Sequence, residues 1–165
     1  MAVLIGSPGA GKSSVGRRVA KRLRVPFADS DHLIERAAGM SVSDVFLTQG
    51  EEAFRALEEE TVAAALARPG GVLSLGGGAV MRETTRERLR GHRVVWLRVS
   101  LSDAAKRVGM NSARPLLLGN VRGTLKTLMD QRTPLYEEVS TDVVDTSDRT
   151  IAQVVDEVVR VIDHE

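Results

Sequence analysis

Gly6-Ser7-Pro8-Gly9-Ala10-Gly11-Lys12-Ser13 follows directly on the apolar run Ala2-Val3-Leu4-Ile5 and opens a stretch that carries Val15, Val19, Ala20 and Leu23 at helical spacing. The octet satisfies G-x-x-x-x-G-K-[ST] in the strand-to-helix context that pattern requires. Its glycines let the backbone curl until consecutive N–H groups converge on phosphate oxygens, and the helix that begins at Lys12 adds its orphan donors and positive dipole end. Lys12 supplies a point charge for the terminal phosphates, and the Ser13 hydroxyl suits Mg²⁺. Gly9, Ala10, Gly11, Lys12, Ser13 and Ser14 are therefore the candidate nucleotide contacts.

Outward from this loop, strands and helices alternate. Residues 26–28, 72–75, 93–99 and 143–144 read as further strands, and 12–24, 51–67, 83–90, 101–108, 121–139 and 151–162 as helices, with Ser30 or Ser41 as caps of short helices between them. Apolar strands separated by helices predict a parallel sheet covered on both faces, with ligands beyond the carboxyl ends of the strands. Residues 109–123, with three glycines, one proline and two arginines, are the candidate mobile loop.

Composition narrows the partners. The chain has 165 residues, 42% hydrophobic and 27% charged, as expected of one globular domain. Lys+Arg 23 against Asp+Glu 22 gives a net charge of +1, which argues against a polyanionic partner, and five scattered aromatic rings make no stacking platform for nucleic acid. The absence of cysteine excludes disulfides, thiolate metal sites and cysteine nucleophiles. No apolar run approaches a membrane span, and residues 2–5 are too few for a secretory core. These readings point to a cytoplasmic protein without a nucleic-acid or membrane partner.

The phosphate loop alone leaves kinase, GTPase, motor and regulator open. No Asn-Lys-x-Asp guanine-reading loop is present, and the small size favours a small acceptor. Asp29-Ser30-Asp31 stands at the ligand edge after the second strand. One carboxylate can serve a metal through water and the other an acceptor hydroxyl, while helix capping is the plain alternative. Arg55 lies between apolar neighbours, with Glu58 three residues on, where it can orient the guanidinium. Gly76-Gly77-Gly78 permits close backbone approach to a ligand. Glu58-Glu59-Glu60 and Arg86-x-Arg88-x-Arg90 read as solvated helix faces, Trp96 as core, and His32, His92 and His164 lack ligand spacing.

The phosphate loop, Asp29-Ser30-Asp31, Phe54-Arg55, Gly76-Gly77-Gly78-Ala79-Val80, Arg114-Pro115-Leu116-Leu117 and Arg132-Thr133-Pro134-Leu135-Tyr136 occur in the order and spacing of the shikimate kinase family, which the chain resembles from Ala2 to about Arg149. The resemblance implies an α/β P-loop NTPase fold of the nucleoside monophosphate kinase-like type. This is one domain over 1–165, with a five-stranded parallel sheet flanked by helices, an acceptor-binding region at about 30–58 and a lid at about 109–123. It implies transfer of the ATP γ-phosphoryl to the 3-hydroxyl of shikimate in the chorismate and aromatic amino acid pathway, with Mg²⁺, by a monomer. It makes Lys12, Asp31 and Arg114 catalytic, and Ser13 and Asp29 metal residues. Asp31, Arg55, Gly76, Gly77, Gly78 and Arg132 become shikimate contacts, and Arg107, Arg114 and Arg149 further nucleotide contacts. The lid at Met110-Asn111-Ser112 and Ser147-Asp148 depart from the usual pattern. Rival expectations are another small-acceptor kinase of the same fold, such as a gluconate or nucleoside monophosphate kinase, and a nucleotide-responsive regulator without activity.

Overall fold

The computed structural model describes residues 1–109 and 120–164. Five strands, β1 (Ala2–Ile5), β2 (Phe27–Asp29), β3 (Val72–Ser74), β4 (Arg93–Arg98) and β5 (Asp142–Asp145), form one sheet in the order β2-β3-β1-β4-β5. Every pairing is parallel. The helices are α1 (Lys12–Leu23), α2 (Ser30–Ala38), α3 (Val42–Gln49), α4 (Glu51–Leu66), α5 (Glu83–Leu89), α6 (Leu101–Gly109), α7 (Val121–Val139) and α8 (Ile151–Asp163), with a 3₁₀ turn at Ala79–Met81.

Side-chain alternation along the strands builds two cores. Leu4, Val95 and Leu97 point to one face, where Val15 and Val19 of α1 and Val154, Val155 and Val158 of α8 cover them. Val3, Ile5, Val94 and Trp96 point to the other, against Val62 and Leu66 of α4, Leu89 of α5 and Tyr136 of α7. The expected core position of Trp96 is met. A third cluster, Ile34, Val45 and Phe54, joins α2, α3 and α4 beside the sheet.

Register sets the functional edge. Asp29 pairs with Ser74, Ser74 with Leu4, and Ile5 with Trp96. The carboxyl ends of β2, β3 and β1 therefore lie side by side, and the loops after them share one rim, beside the point where the chain order reverses. The helix caps differ from expectation at one place. Asp29, rather than Ser30, caps α2, its Oδ1 accepting from Asp31 N (2.9 Å) and His32 N (3.3 Å), whereas Ser41 caps α3 as expected. The last three positions of the expected lid, 121–123, belong to the first turn of α7.

Each of the two charge runs expected to be solvated, exposed at Glu60, Arg88 and Arg90, departs from that at one position. Glu58 is 2% exposed rather than part of a solvated face, because Phe54, Glu58 and Val62 recur every four residues on the inner side of α4. Arg86 is not simply solvated either: its Nη1 donates to the carbonyls of Val80 (2.8 Å) and Met81 (3.1 Å), tying α5 to the 3₁₀ turn.

Candidate active site

The phosphate loop keeps its curled form through residues that only glycine suits. Gly9 has φ +85°, and a Cβ there would sit 2.9 Å from the Ala104 carbonyl oxygen. Lys12 Nζ folds over the curl and donates to Gly6 O (2.7 Å) and Ser7 O (3.2 Å), so its charge stands at the mouth of the loop. The loop lines a cleft of about 660 Å³ that also meets Asp29, Asp31, Gly76, Gly77, Arg107 and Arg149.

Each member of Asp29-Ser30-Asp31 does something different. Asp29 caps α2 with one oxygen, and its Oδ2 accepts the Ser13 hydroxyl. Capping, the plain alternative in the sequence, and a contact with Ser13, the expected metal residue, coexist. Ser30, fully buried, accepts the Gly76 N–H on Oγ at 2.8 Å and so fastens the glycine loop to α2. Its part was not foreseen, because nothing local links positions 30 and 76. Asp31 lies against the glycine run: a Cβ on Gly76 would fall 2.7 Å from its Oδ1 and 3.0 Å from Glu58 Oε2.

Two buried guanidinium groups meet the same run. Arg55, 8% exposed, donates from Nη1 to Glu58 Oε1 at 2.7 Å and lies with Cζ 5.2 Å from the Phe54 ring centre and 5.8 Å from that of Phe46. A Cβ on Gly78 would come within 2.6 Å of Arg55 Cζ. Arg132, 5% exposed, approaches the next position, its Nη1 being 3.2 Å from where a Gly77 Cβ would stand. Burial lowers the pKa of Arg132, the neighbouring Tyr136 works against that, and the charge of Arg55 adds to the lowering. Among the described residues Arg132 has no carboxylate at ion-pair distance, and its buried Nε has no acceptor. Burial likewise raises the Glu58 pKa against the pull of Arg55. The three glycine positions are thus enclosed by Arg55, Arg132, Glu58 and Asp31, two positive and two negative groups. One guanidinium is already engaged by Glu58; the other stands beside Tyr136 with no carboxylate at ion-pair distance among the described residues, and neither is among the residues that line the cleft.

The far end of the cleft holds the other expected nucleotide residues. Arg107 Nη1 donates to Gly9 O (2.9 Å) and Nη2 to Thr146 O (3.2 Å), so it ties the phosphate loop to the segment after β5 as well as lining the cleft. Arg149 pairs with Glu157 and lines the same wall. Arg114, with the rest of Arg114-Pro115-Leu116-Leu117 and Met110-Asn111-Ser112, lies outside the described residues.

The family model for shikimate kinase matches residues 8–163. This chain belongs to the shikimate kinase family. Shikimate kinase of Thermobifida fusca is 59% identical over 150 residues, covering 91% of this chain and 87% of the relative. That of Salinispora arenicola is 53% identical over 156 residues, covering 94% and 93%. The solved structure of shikimate kinase from Acinetobacter baumannii in complex with shikimate superimposes with a TM-score of 0.92 at 33% identity, covering 98% of this chain and 92% of that one. The fold expected from the sequence, a five-stranded parallel sheet in a P-loop kinase, is met.

The donor set suits the family's divalent ion. Ser13 and Asp29 bring a hydroxyl and a carboxylate together at the cleft, hard oxygen donors of the kind Mg²⁺ takes. Among the described residues no cluster of three or more His, Cys, Asp or Glu side chains offers a rival cage.

Proposed function

We propose that the shikimate kinase reaction runs in this cleft with the triphosphate on the 6–13 loop and the acceptor against the glycine run, its carboxylate between Arg55 and Arg132 and its hydroxyls toward Asp31. The reaction itself follows from family membership: the γ-phosphoryl of ATP passes to the 3-hydroxyl of shikimate, giving shikimate 3-phosphate and ADP in the route to chorismate and the aromatic amino acids. The observation that carries the placement is the pair of buried guanidinium groups at adjacent glycines, only one of them ion-paired among the described residues. Planar forked donors fit a carboxylate better than an ammonium does.

Phosphoryl transfer asks mainly for positioning and charge neutralisation. Lys12 neutralises charge on the terminal phosphates. Ser13 and Asp29 would hold Mg²⁺, which when bound would neutralise phosphate charge. Asp31 orients the acceptor hydroxyl and takes its proton. Arg114, in a lid proposed between α6 and α7, covers the transferring group and helps exclude water, while Arg107 and Arg149 flank the base. The acceptor region at 30–58 contributes Asp31 and Arg55. Among the described residues no helix is long and apolar enough to cross a membrane. A cytoplasmic monomer acting on a small metabolite is part of this proposal.

A coupled ADP-release assay with ATP·Mg²⁺ and shikimate, gluconate, AMP or water tests the assignment. Turnover with shikimate alone is expected. Equal turnover with gluconate or AMP overturns the acceptor placement.

Arg55→Ala should raise the shikimate KM about a hundredfold and leave the ATP KM within about threefold, since a buried charge-assisted contact to the acceptor is lost. The same variant strands Glu58 in the interior. With Arg55 gone, burial, the largest cause of the raised Glu58 pKa, acts with less opposition. A carboxyl whose folded pKa lies above its unfolded value adds stability at low pH, and this is lost as pH rises through the folded value. The thermal destabilisation of Arg55→Ala relative to the parent should therefore be larger at pH 8 than at pH 5. A difference independent of pH removes Glu58 from this account.

A further inference from the structure

The motif Arg132-Thr133-Pro134-Leu135-Tyr136 gives Arg132 to the acceptor pocket and leaves Tyr136 without a part in the reaction. Tyr136 is 2% exposed, and its ring lies 5.8 Å, centre to centre, from Trp96. Its hydroxyl nevertheless crosses to the glycine loop, where Oη donates to Gly77 O at 2.6 Å. A run of three glycines has no side chains to fix its shape. Backbone bonds from Ala79 N–H to Gly76 O and from Met81 N–H to Gly78 O, both 3.1 Å, fold it into a turn. Two side chains then anchor that turn: Ser30 Oγ on the Gly76 N–H and Tyr136 Oη on the Gly77 carbonyl.

The second anchor also sets a direction. In a trans peptide the carbonyl and the following N–H point opposite ways. Holding the Gly77 carbonyl toward α7 therefore turns the Gly78 N–H away from Tyr136. Among the described residues neither the Gly77 nor the Gly78 N–H has a hydrogen-bond acceptor. The guanidinium groups of Arg55 and Arg132 stand beside these same two residues.

We propose that Tyr136 is a positioning residue for the acceptor carboxylate, its hydroxyl fixing the Gly77–Gly78 peptide so that the Gly78 N–H joins Arg55 and Arg132 as a third donor. The inference rests on the acceptor placement above and adds to it a residue that never touches the substrate. Burial pushes the Tyr136 phenol up to about 12, so it stays a donor throughout the neutral range. Tyr136 is four residues after Arg132 on α7, so one helix presents the charge and fixes the backbone it works with.

The test is steady-state kinetics of Tyr136→Phe, with shikimate and ATP varied separately. Phenylalanine keeps the ring against Trp96 and removes the hydroxyl, and with it both the bond to Gly77 O and the contact with Arg132 on the same helix. The shikimate KM should rise about tenfold, as for one lost buried hydrogen bond, while kcat and the ATP KM stay within about twofold. Trp96→Phe, which loosens packing on the same ring but spares the hydroxyl, should leave the shikimate KM within about twofold. An unchanged shikimate KM in Tyr136→Phe overturns the proposal. So does equal weakening toward both substrates, the same rise in Trp96→Phe, or failure of Tyr136→Phe to fold, since each marks a merely structural role. The parent enzyme measured alongside separates the two levels. If it uses shikimate while Tyr136→Phe behaves like it, only the positioning role falls; if it ignores shikimate, the acceptor placement falls too.

Discussion

Lys12→Ala is expected to lower kcat by roughly a thousandfold or more, with the fold intact. The chain contains 19 arginines but only 4 lysines, and Lys12 is the one in the phosphate loop. Its ammonium already lies over the loop, on the carbonyls of Gly6 and Ser7. When a triphosphate enters, the ammonium can exchange these carbonyls for phosphate oxygens with little movement, because its flexible stem and three donors adapt to either set. The variant removes that charge where negative charge spreads during transfer, and the backbone amides alone cannot replace it. Lys12 is half-buried and belongs to neither of the sheet's two cores, so thermal unfolding should change little. Lys12→Arg should not restore activity, since a planar fork is too broad for a site shaped around a compact ammonium. Coupled ADP release at saturating ATP and shikimate reads the effect. A kcat within tenfold of the parent would remove Lys12 from the reaction.

The parts of this site that were legible in the sequence are those whose chemistry is local. A phosphate loop needs glycines, a lysine and a serine at fixed spacing between a strand and a helix, and all of them stand within residues 6–13. The strands could be read because each holds a short apolar stretch, down to Phe27-Ala28 in β2 and Val143-Val144 in β5. What stayed hidden is made by contacts between distant residues. Ser30 on the Gly76 N–H and Tyr136 on the Gly77 carbonyl are 46 and 59 residues apart, and no local pattern records either bond. Glu58 is different, since a signal was present. Its two acidic neighbours suggested a solvated face, yet its four-residue spacing from Phe54 and Val62 placed it on the buried side. A charge within an apolar stripe, three residues from an arginine, is better read as that arginine's partner than as surface. Arg132 was reached only through the resemblance, because an arginine in a polar helix looks the same whether it faces water or a pocket.

Asp31→Asn should reduce kcat by about two to three orders of magnitude while the shikimate KM moves less than about tenfold. The substitution is nearly isosteric, and the bond that ties residue 31 to Asp29 uses the backbone N–H, so α2 keeps its cap. An amide oxygen at this position still accepts a hydrogen bond from an acceptor hydroxyl, which preserves much of the binding. It cannot take the proton, and it no longer places a negative charge beside the attacking oxygen. The loss should therefore appear in the turnover step. A second consequence concerns Glu58. Asp31 is one of the charges that push the Glu58 pKa upward, behind burial in size. Its neutralisation lets Glu58 ionise at lower pH, so the Arg55–Glu58 pair survives further into acid. The acid limb of shikimate affinity should then shift to lower pH in Asp31→Asn than in the parent, although turnover is far lower at every pH. A variant with parental kcat excludes Asp31 as proton acceptor. A large rise in shikimate KM with kcat preserved makes it a binding residue only.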